Sequence, residues 1–317
     1  MVDEGGTVLV TGGTGFVGRH VVDSLLSQGY TVAAASVPGD PQLVNLPESV
    51  ESLAFDIADI TAVTAVLERL HPQAVFHIAG LARGHDLARL LSVNAVGTDC
   101  LLRAARELST PPTVIIPGSA AEYGLLDAGQ PADEATALVP ISAYGVSKVA
   151  QTLTGLSFAW RHEVPVVVGR VFNITGPREP PTMLIGAIAE QIVAIEAGDR
   201  PPVLRVGNLD PYRDYLDVRD AVLGLVSLWG EGRSGEVYNL CSGVPVQVRA
   251  VVEQLVALSE VDIEILPDPE RQRPSDIPFC AGNPRRVLQA TSWRPEHHLA
   301  ASLTDTLAWW RARRGLH

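Results

Sequence analysis

Short apolar segments alternate with helical segments through the first half of the chain, and this alternation constrains the fold more than any other feature. Buried strands are expected in segments rich in β-branched and small apolar residues, at 7–11, 31–35, 50–55, 74–79, 114–117 and 164–171. Helical periodicity is expected at 18–28, 62–70, 87–108 and 144–161. Such alternation builds βαβ units with right-handed crossovers. The sequence therefore predicts an α/β fold with a Rossmann-type, doubly wound parallel sheet.

The second half is less regular and mixes short strands with helices. It predicts a smaller α/β lobe that follows a Pro-rich loop, GPREPP, at 176–181. We expect a first domain over 1–175 and a lobe over 176–317. Segments near 214–241 are expected to return to the first sheet.

A glycine-rich loop joins the first strand to the first helix. It reads TGGTGFVG from Thr11 to Gly18. Glycines allow a tight turn and close approach to a pyrophosphate, whose charge then lies at the helix N-terminus. The alternative is an ordinary Gly-rich turn, but strand, loop and helix follow in the order that a dinucleotide site needs. The residues expected to contact the dinucleotide here are Gly12, Thr14, Gly15, Phe16, Val17 and Gly18.

The end of the second strand bears on the choice between NAD and NADP. NAD enzymes usually carry an Asp or Glu there for the ribose hydroxyls, and this chain has Ser36. Arg19 lies just past the glycine loop, although it could equally be a solvated helix residue. The sequence predicts a site for NADP or NAD and slightly favours NADPH.

Tyr144 and Lys148 lie four residues apart and share one face of a helix. A neighbouring ammonium stabilises a phenolate and lowers the phenol pKa, which is otherwise near 10. Ser119, at the end of the fifth strand, is expected at the same edge of the sheet as the glycine loop. The spacing Tyr-x-x-x-Lys is common on helices, but its position behind a glycine loop and Ser119 predicts a catalytic set that polarises a carbonyl group.

Composition excludes several partners. The chain has 317 residues and a net charge of −12, which disfavours nucleic acid. It has no apolar run near the ~20 residues of a membrane span and no basic leader. Three scattered cysteines and histidines without metal spacing predict a cytoplasmic protein with no metal site.

With these motifs the chain resembles the extended short-chain dehydrogenase/reductase family of sugar-nucleotide epimerases, dehydratases and reductases. The resemblance covers nearly the whole chain. Beyond the glycine loop, Ser119, Tyr144 and Lys148, it includes Asp56-Ile57, FHIAG at 76–80, Asn94 in VNAVGT, and VGRVFN at 168–173. It continues through VLRVGNLD at 203–210, RDYLDVRD at 213–220, NLCSG at 239–243 and RQRPSD at 271–276. The second half is most similar to enzymes acting on GDP-sugars, above all reductases of GDP-4-keto-6-deoxymannose.

The resemblance implies roles for residues that spacing alone does not assign. Asp56 and Ile57 would contact the adenine end of the cofactor, and Asn94 would support the local network. Ile78, Ala79, Gly80 and Val171 would also line the cofactor, while Arg213 and Arg273 would hold the nucleotide pyrophosphate unless they form surface ion pairs. The further substrate-contacting residues implied are Leu81, Ser119, Ala120, Glu122, Asn173, Arg178, Val203 and Arg205.

The expected activity is NAD(P)H-dependent reduction of the C4 ketone of a GDP-linked 4-keto-6-deoxyhexose. The 4,6-dehydratases of the family carry acidic residues shortly after the catalytic Ser or Thr, whereas Ala120 and Ala121 stand here. A sugar-nucleotide 4-epimerase that retains NAD remains open, and a cofactor-sensing regulator is a weaker alternative. The resemblance also implies a homodimer paired through the helices at 87–108 and 144–161.

Overall fold

The computed structural model describes residues 5–82, 84, 86–127, 129–271 and 277–316. Its strands are β1 (Thr7–Thr11), β2 (Thr31–Ser36), β3 (Glu51–Ala54), β4 (Ala74–His77), β5 (Thr113–Ser119), β6 (Val166–Val171), β7 (Asn173–Thr175), β8 (Val203–Val206), β9 (Tyr212–Asp217), β10 (Val237–Leu240), β11 (Pro245–Gln247), β12 (Glu264–Pro267) and β13 (Phe279–Cys280). Its α-helices are α1 (Phe16–Ser27), α2 (Ile60–Leu70), α3 (Leu87–Leu91), α4 (Gly97–Arg106), α5 (Ala143–Trp160), α6 (Leu184–Glu196), α7 (Val218–Glu231), α8 (Val248–Val256), α9 (Arg285–Ala290) and α10 (Leu299–Arg314).

Seven parallel strands form the main sheet in the order β10-β6-β5-β4-β1-β2-β3. The strand order reverses between β1 and β4, so their carboxyl ends flank a crevice. The expected Rossmann-type doubly wound sheet is confirmed.

Both faces of the main sheet are covered because its strands are apolar on both sides. Val8 and Val10 of β1 pack with residues of α1 and α7, whereas Leu9 packs with α2, α4 and α5 on the other face. The result is a three-layer α/β/α core with the strand ends left accessible at the edge.

The remaining strands form a smaller lobe. β9 pairs with β7, β11 and β13, and β8 pairs with β12. Helices α6, α8 and α10 enclose a separate apolar cluster around Ile188, Ile192 and Leu255. Of the segment expected to return to the main sheet, residues 214–217 lie instead in this lobe as part of β9, α7 packs on the main sheet, and β10 pairs with β6.

The helix expected over 87–108 is divided. A π-helical turn, Ser92–Val96, separates α3 from α4. Asn94 lies in this turn with no exposed surface, and its amide bonds the backbone of Leu81 and the hydroxyl of Ser147. A wider turn at this point lets the polar side chain face inward, as π-bulges at functional sites do.

In the described part of the chain, every helix is too short or too polar to cross a bilayer.

Candidate active site

A cavity of about 1000 Å³ lies at the carboxyl ends of the central strands and extends to the smaller lobe. Most of the residues expected to bind the cofactor line it: Gly12, Thr14, Gly15, Phe16, Val17, Gly18, Ser36, Asp56, Ile57, Ile78, Ala79, Gly80, Tyr144, Lys148 and Val171. The placement agrees with the rule that ligands of open α/β sheets bind where the strand order reverses.

The glycine loop is packed so closely that side chains would not fit. A Cβ atom on Gly12 would lie 2.7 Å from the backbone nitrogen of Ala79, and one on Gly18 would lie 2.0 Å from the carbonyl oxygen of Gly12. Gly12 also has φ 69°, a region that favours glycine. Phe16, the first residue of α1, borders the cavity, and the first-turn N–H groups of a helix lack intrahelical acceptors. These features fit a pyrophosphate.

A carboxylate, Asp40, lies beside this loop next to Ser36, at the end of β2. Asp40 accepts hydrogen bonds from the hydroxyls of Ser36 and Thr14. Burial raises the pKa of Asp40, but the bonds from Ser36, Thr14 and the backbone of Gln42 outweigh it and hold the pKa below its usual value. The sequence pattern does not mark Asp40, because it lies in the turn after β2, four residues beyond the position that usually carries the acid.

Arg19 is placed differently from the expectation. It is half-buried and does not line the cavity, and one guanidinium nitrogen is enclosed without a hydrogen-bond partner among the described residues. Arg19 therefore does not border the cavity in which a cofactor would bind.

Ser119, Tyr144 and Lys148 are brought to one wall of the cavity. Ser119 ends β5 and caps a short 3-10 turn, while Ser142 caps α5 so that Tyr144 lies in its first turn. The Lys148 ammonium donates to the carbonyl oxygen of Pro117 at 2.7 Å. Burial lowers the pKa of Lys148 to about 8, although the negative charge of Glu122 opposes this. A lysine near its midpoint beside a phenol and a hydroxyl suits acid–base work at a carbonyl.

The chain's 24 lysine and arginine residues include a single lysine, Lys148. A chain that uses arginine everywhere else keeps lysine where the ammonium can titrate, which arginine cannot do. This composition signal was available from the sequence and strengthens the assignment of Lys148.

Glu122 and Ala120 do not line the cavity, contrary to expectation. Glu122 has no exposed surface and forms a two-pronged ion pair with Arg170, at 2.8 and 3.0 Å. It also accepts a bond from the backbone nitrogen of Ser119, which closes a capping box on the 3-10 turn. This local bond turns the side chain inward, and Ala120 packs in an apolar cluster. Both residues support Ser119 rather than face a substrate.

Asn94 also acts from behind the wall. Both its amide oxygen and nitrogen are bonded to protein groups, and it does not line the cavity. Asn94 therefore does not border the cavity expected to hold the cofactor, and its position behind the wall agrees with a part in the local network. It fixes the backbone of Leu81 to Ser147 of α5, next to the catalytic helix face.

Two further residues expected to contact substrate, Arg178 and Val203, do not line the cavity. Arg178 forms an ion pair with Asp23 at 2.6 Å on the outside of α1. Val203 does not line the cavity, although Arg205 two residues later on β8 does. Arg273 lies outside the described residues.

Part of the cavity wall comes from the smaller lobe, and it includes several residues that sequence reasoning missed. Leu81, Asn173, Arg205 and Arg213 line the cavity as expected. The missed polar lining residues are Glu179, Gln191, Asn208, Tyr215, Glu270 and Arg271. The pairing of β7 with β9 sets Tyr215 directly beside Asn173, and no local sequence pattern marks this register.

Glu179 is the most unusual residue of this wall. Its carboxyl is buried, and burial raises its pKa to about 7 despite the hydrogen bond from the backbone of Gly186. One carboxyl oxygen accepts from the N–H of Gly186 at the start of α6, and the other has no partner among the described residues. Within that same part of the chain, no cluster of His, Cys, Asp and Glu has the arrangement of a metal site.

With this fold and site, the chain belongs to the GDP-mannose 4,6 dehydratase family, whose model matches residues 9–306. This is the extended short-chain dehydrogenase/reductase group expected from the motifs. The chain is 33% identical to the GDP-6-deoxy-D-mannose reductase of Pseudomonas aeruginosa, over 96% of this chain and 97% of the relative.

Solved structures agree in fold. A structure of RMD from Pseudomonas aeruginosa complexed with NADPH is similar with a TM-score of 0.85 and 30% identity, covering 97% of this chain and 99% of that one. A UDP-glucose 4-epimerase of Thermus thermophilus in complex with NAD is similar with a TM-score of 0.85 and 25% identity, covering 96% and 99%.

Proposed function

We propose that this chain is an NAD(P)H-dependent reductase of the C4 ketone of a nucleotide-linked 4-keto-6-deoxyhexose, with the GDP-linked sugar favoured. One observation carries the proposal: Ser119, Tyr144 and Lys148 line the same cavity as the glycine loop. The similarity to a GDP-6-deoxy-D-mannose reductase along nearly the whole chain supports the substrate class.

The nicotinamide cofactor supplies the hydride when bound. The Tyr144 hydroxyl donates a proton to the ketone oxygen as that oxygen gains charge. Lys148, held charged on the next helical turn, stabilises the resulting phenolate, and Ser119 donates a hydrogen bond to the same oxygen. Donors placed in advance around a developing negative charge lower the barrier to the transfer.

The surroundings of Ser119 favour reduction over dehydration. Elimination of water across C5 and C6 requires an acid and a base near the sugar. Here Ala120 follows Ser119, and Glu122 is held by Arg170 inside the protein. In the described part of the chain, the carboxyl side chains on the cavity wall belong to Asp56, Glu179 and Glu270, which lie on other elements.

The smaller lobe supports binding of a nucleotide diphosphate despite the net charge of −12. Arg205, Arg213 and Arg271 all border this part of the cavity. Guanidinium groups match phosphate oxygens in geometry and charge. Arg213 is braced by bonds to the carbonyl oxygens of Tyr212 and Ile277, which hold the guanidinium at the wall.

We also propose that the chain forms a homodimer through α3, α4 and α5 and works in the cytoplasm. The cysteines of the chain, Cys100, Cys241 and Cys280, are all free thiols, which suits a reducing compartment. Along these helices Leu90, Leu101, Leu102 and Leu156 are buried within the chain, while Leu153 is exposed.

The test is the absorbance of reduced nicotinamide during incubation with GDP-4-keto-6-deoxymannose made in place. Stoichiometric loss of NADPH or NADH is expected, and Tyr144→Phe should reduce turnover by at least about 100-fold while cofactor binding persists. Tyr212→Phe, a change at an exposed tyrosine outside the cavity wall, is the matched control. Interconversion of sugar nucleotides without cofactor consumption would establish the epimerase instead.

A further inference from the structure

The ammonium of Lys148 has a second acceptor besides Pro117. The side-chain oxygen of Gln151, one helical turn later on α5, accepts a hydrogen bond from it. Gln151 is 1% exposed and does not line the cavity, so it contacts the catalytic lysine from inside the protein.

The orientation of the Gln151 amide is fixed by its other contact. The amide nitrogen of Gln151 donates to the Thr98 hydroxyl oxygen at 3.1 Å. The Thr98 hydroxyl donates its own proton to the carbonyl oxygen of Asn94 at 2.7 Å. Thr98 can therefore only accept from Gln151, and the oxygen end of the amide must face Lys148.

The same chain of bonds continues to the cofactor loop. Nε2 of His77 lies 2.9 Å from the Thr98 hydroxyl, whose proton is already used, so this nitrogen carries the hydrogen. Nδ1 then accepts from the Thr11 hydroxyl at 2.8 Å, and Thr11 accepts from the N–H of Ala79. Burial, with the nearby charge of Lys148, lowers the pKa of His77 to about 3, which agrees with this neutral form.

We propose that Gln151 is a positioning residue, which keeps the ammonium of Lys148 charged and fixed toward the reacting carbonyl. That the carbonyl is a substrate ketone rests on the proposed function, whereas the effect of Gln151 on the charge of Lys148 does not. Gln151 supplies an uncharged acceptor that a hydrophobic residue at this position would remove. A buried ammonium without such an acceptor loses its proton more readily.

The other ionisable groups around Lys148 do not replace this contact. Glu122 is the negative charge that favours protonation of Lys148, but its carboxylate is engaged by Arg170. His77 is neutral, and Tyr144 borders the cavity on the same helix. The direct hydrogen-bond acceptors of the Lys148 ammonium are therefore the uncharged oxygens of Gln151 and Pro117, and Gln151 is the one supplied by a side chain.

The single lysine makes a direct measurement feasible. Protein labelled with carbon-13 lysine will give one side-chain Cε signal by NMR, and its shift against pH reports the Lys148 midpoint without assignment. The wild-type midpoint is expected near pH 8. In Gln151→Leu it should fall by about one unit or more, since a hydrogen bond to a charged group is lost. Gln151→Glu should raise it and keeps the test available if the leucine variant does not fold.

Ser157→Ala is the control, because Ser157 lies on the same helix α5 outside the cavity wall and its hydroxyl bonds the carbonyl oxygen of Thr154. It should leave the lysine midpoint within about 0.2 units of wild type. An unchanged or raised midpoint in Gln151→Leu, or an unchanged one in Gln151→Glu, would overturn the proposal.

Kinetics separate this proposal from the proposed function. Because Lys148 is charged below its midpoint, ketone reduction should fail at high pH, and this alkaline limb of kcat/KM should move to lower pH in Gln151→Leu. If the Lys148 midpoint shifts in Gln151→Leu but the protein reduces no sugar ketone, the role of Gln151 stands and only the reductase activity is rejected. If the midpoint does not shift but the protein is an active reductase, the reductase activity stands and the role of Gln151 is rejected.

Discussion

At the scale of single residues, Asp40 places a negative charge beside the loop that we propose binds the adenosine ribose. Its carboxylate is bonded to Ser36 and Thr14, which both border the cavity. A 2′-phosphate placed near these hydroxyls would meet a negative charge, whereas a 2′-hydroxyl would meet an acceptor.

We expect Asp40→Asn to raise the affinity for NADPH relative to NADH by about tenfold, because one repulsive charge is removed at a partly solvated site. Fluorescence titration of both reduced cofactors measures the ratio. Asp59→Asn, at the N-cap of α2, is a control that keeps its capping oxygen. An unchanged ratio in Asp40→Asn would show that the ribose lies away from this carboxylate.

Glu179 links a single buried carboxyl to the stability of the smaller lobe. Its pKa is raised from 4.5 to about 7 by burial, so the folded state holds a proton that the unfolded state has released between these values. The free energy of unfolding should therefore fall as pH rises through this window and stay low above it. Glu179→Gln cannot ionise and should gain up to about 3 kcal/mol over wild type between pH 4.5 and pH 8.

Urea unfolding at both pH values measures this difference. Glu190→Gln, on the exposed side of α6, is the matched control and should show no such change with pH. Equal differences between Glu179→Gln and wild type at both pH values would mean that the carboxyl ionises normally in the folded protein.

The sequence predicted some residues of the site and not others. Tyr144, Lys148 and Ser119 were identifiable because chain order and strand-end position are local patterns. Glu122 was misplaced because its direction depends on a capping box that turns the side chain inward. Asp40 and Gln151 were missed because their partners are remote in sequence or lie behind the wall, where no motif marks them.

At the scale of elements, the β1–α1 unit has the least tolerance for change. We expect Gly18→Ala to weaken cofactor binding by about tenfold or more, because the added Cβ would push against Gly12 and displace the loop. Gly230→Ala, in α7 with open space around it, should bind cofactor normally and unfold at the same or a higher temperature. Cofactor titration and thermal melting test the pair, and wild-type affinity in Gly18→Ala would contradict the tight packing.

The elements of the main sheet could be predicted because each strand and helix carries its own periodicity. The π turn at Ser92–Val96 could not, since it arises from the inward bonds of Asn94 to Leu81 and Ser147. The small sheets were also poorly indicated. Strands of two to six residues, such as β13 and β9, gain their register from distant partners rather than from their own pattern.

At the scale of the whole molecule, the outer face of α5 presents an apolar stripe. Val146, Leu153 and Trp160 recur every seven residues and are 38%, 49% and 59% exposed, with Val96 at 50% beside them on the neighbouring helical segment. Seven residues make close to two helical turns, so the three side chains lie in one line. A continuous apolar line on packed helices is suited to pairing with a second copy.

We expect sedimentation to give twice the 33.8 kDa chain mass, and Leu153→Asp to weaken dimerisation by at least about 100-fold because a carboxylate would be buried in the interface. Val44→Asp is the matched control, since Val44 is 86% exposed on the segment after β2 and lies on neither pairing helix. If Leu153→Asp sediments as wild type does, pairing does not use α5. Because Tyr144 and Lys148 lie on this same helix, a monomeric variant that keeps its helical content but loses turnover would show that pairing also steadies the catalytic face.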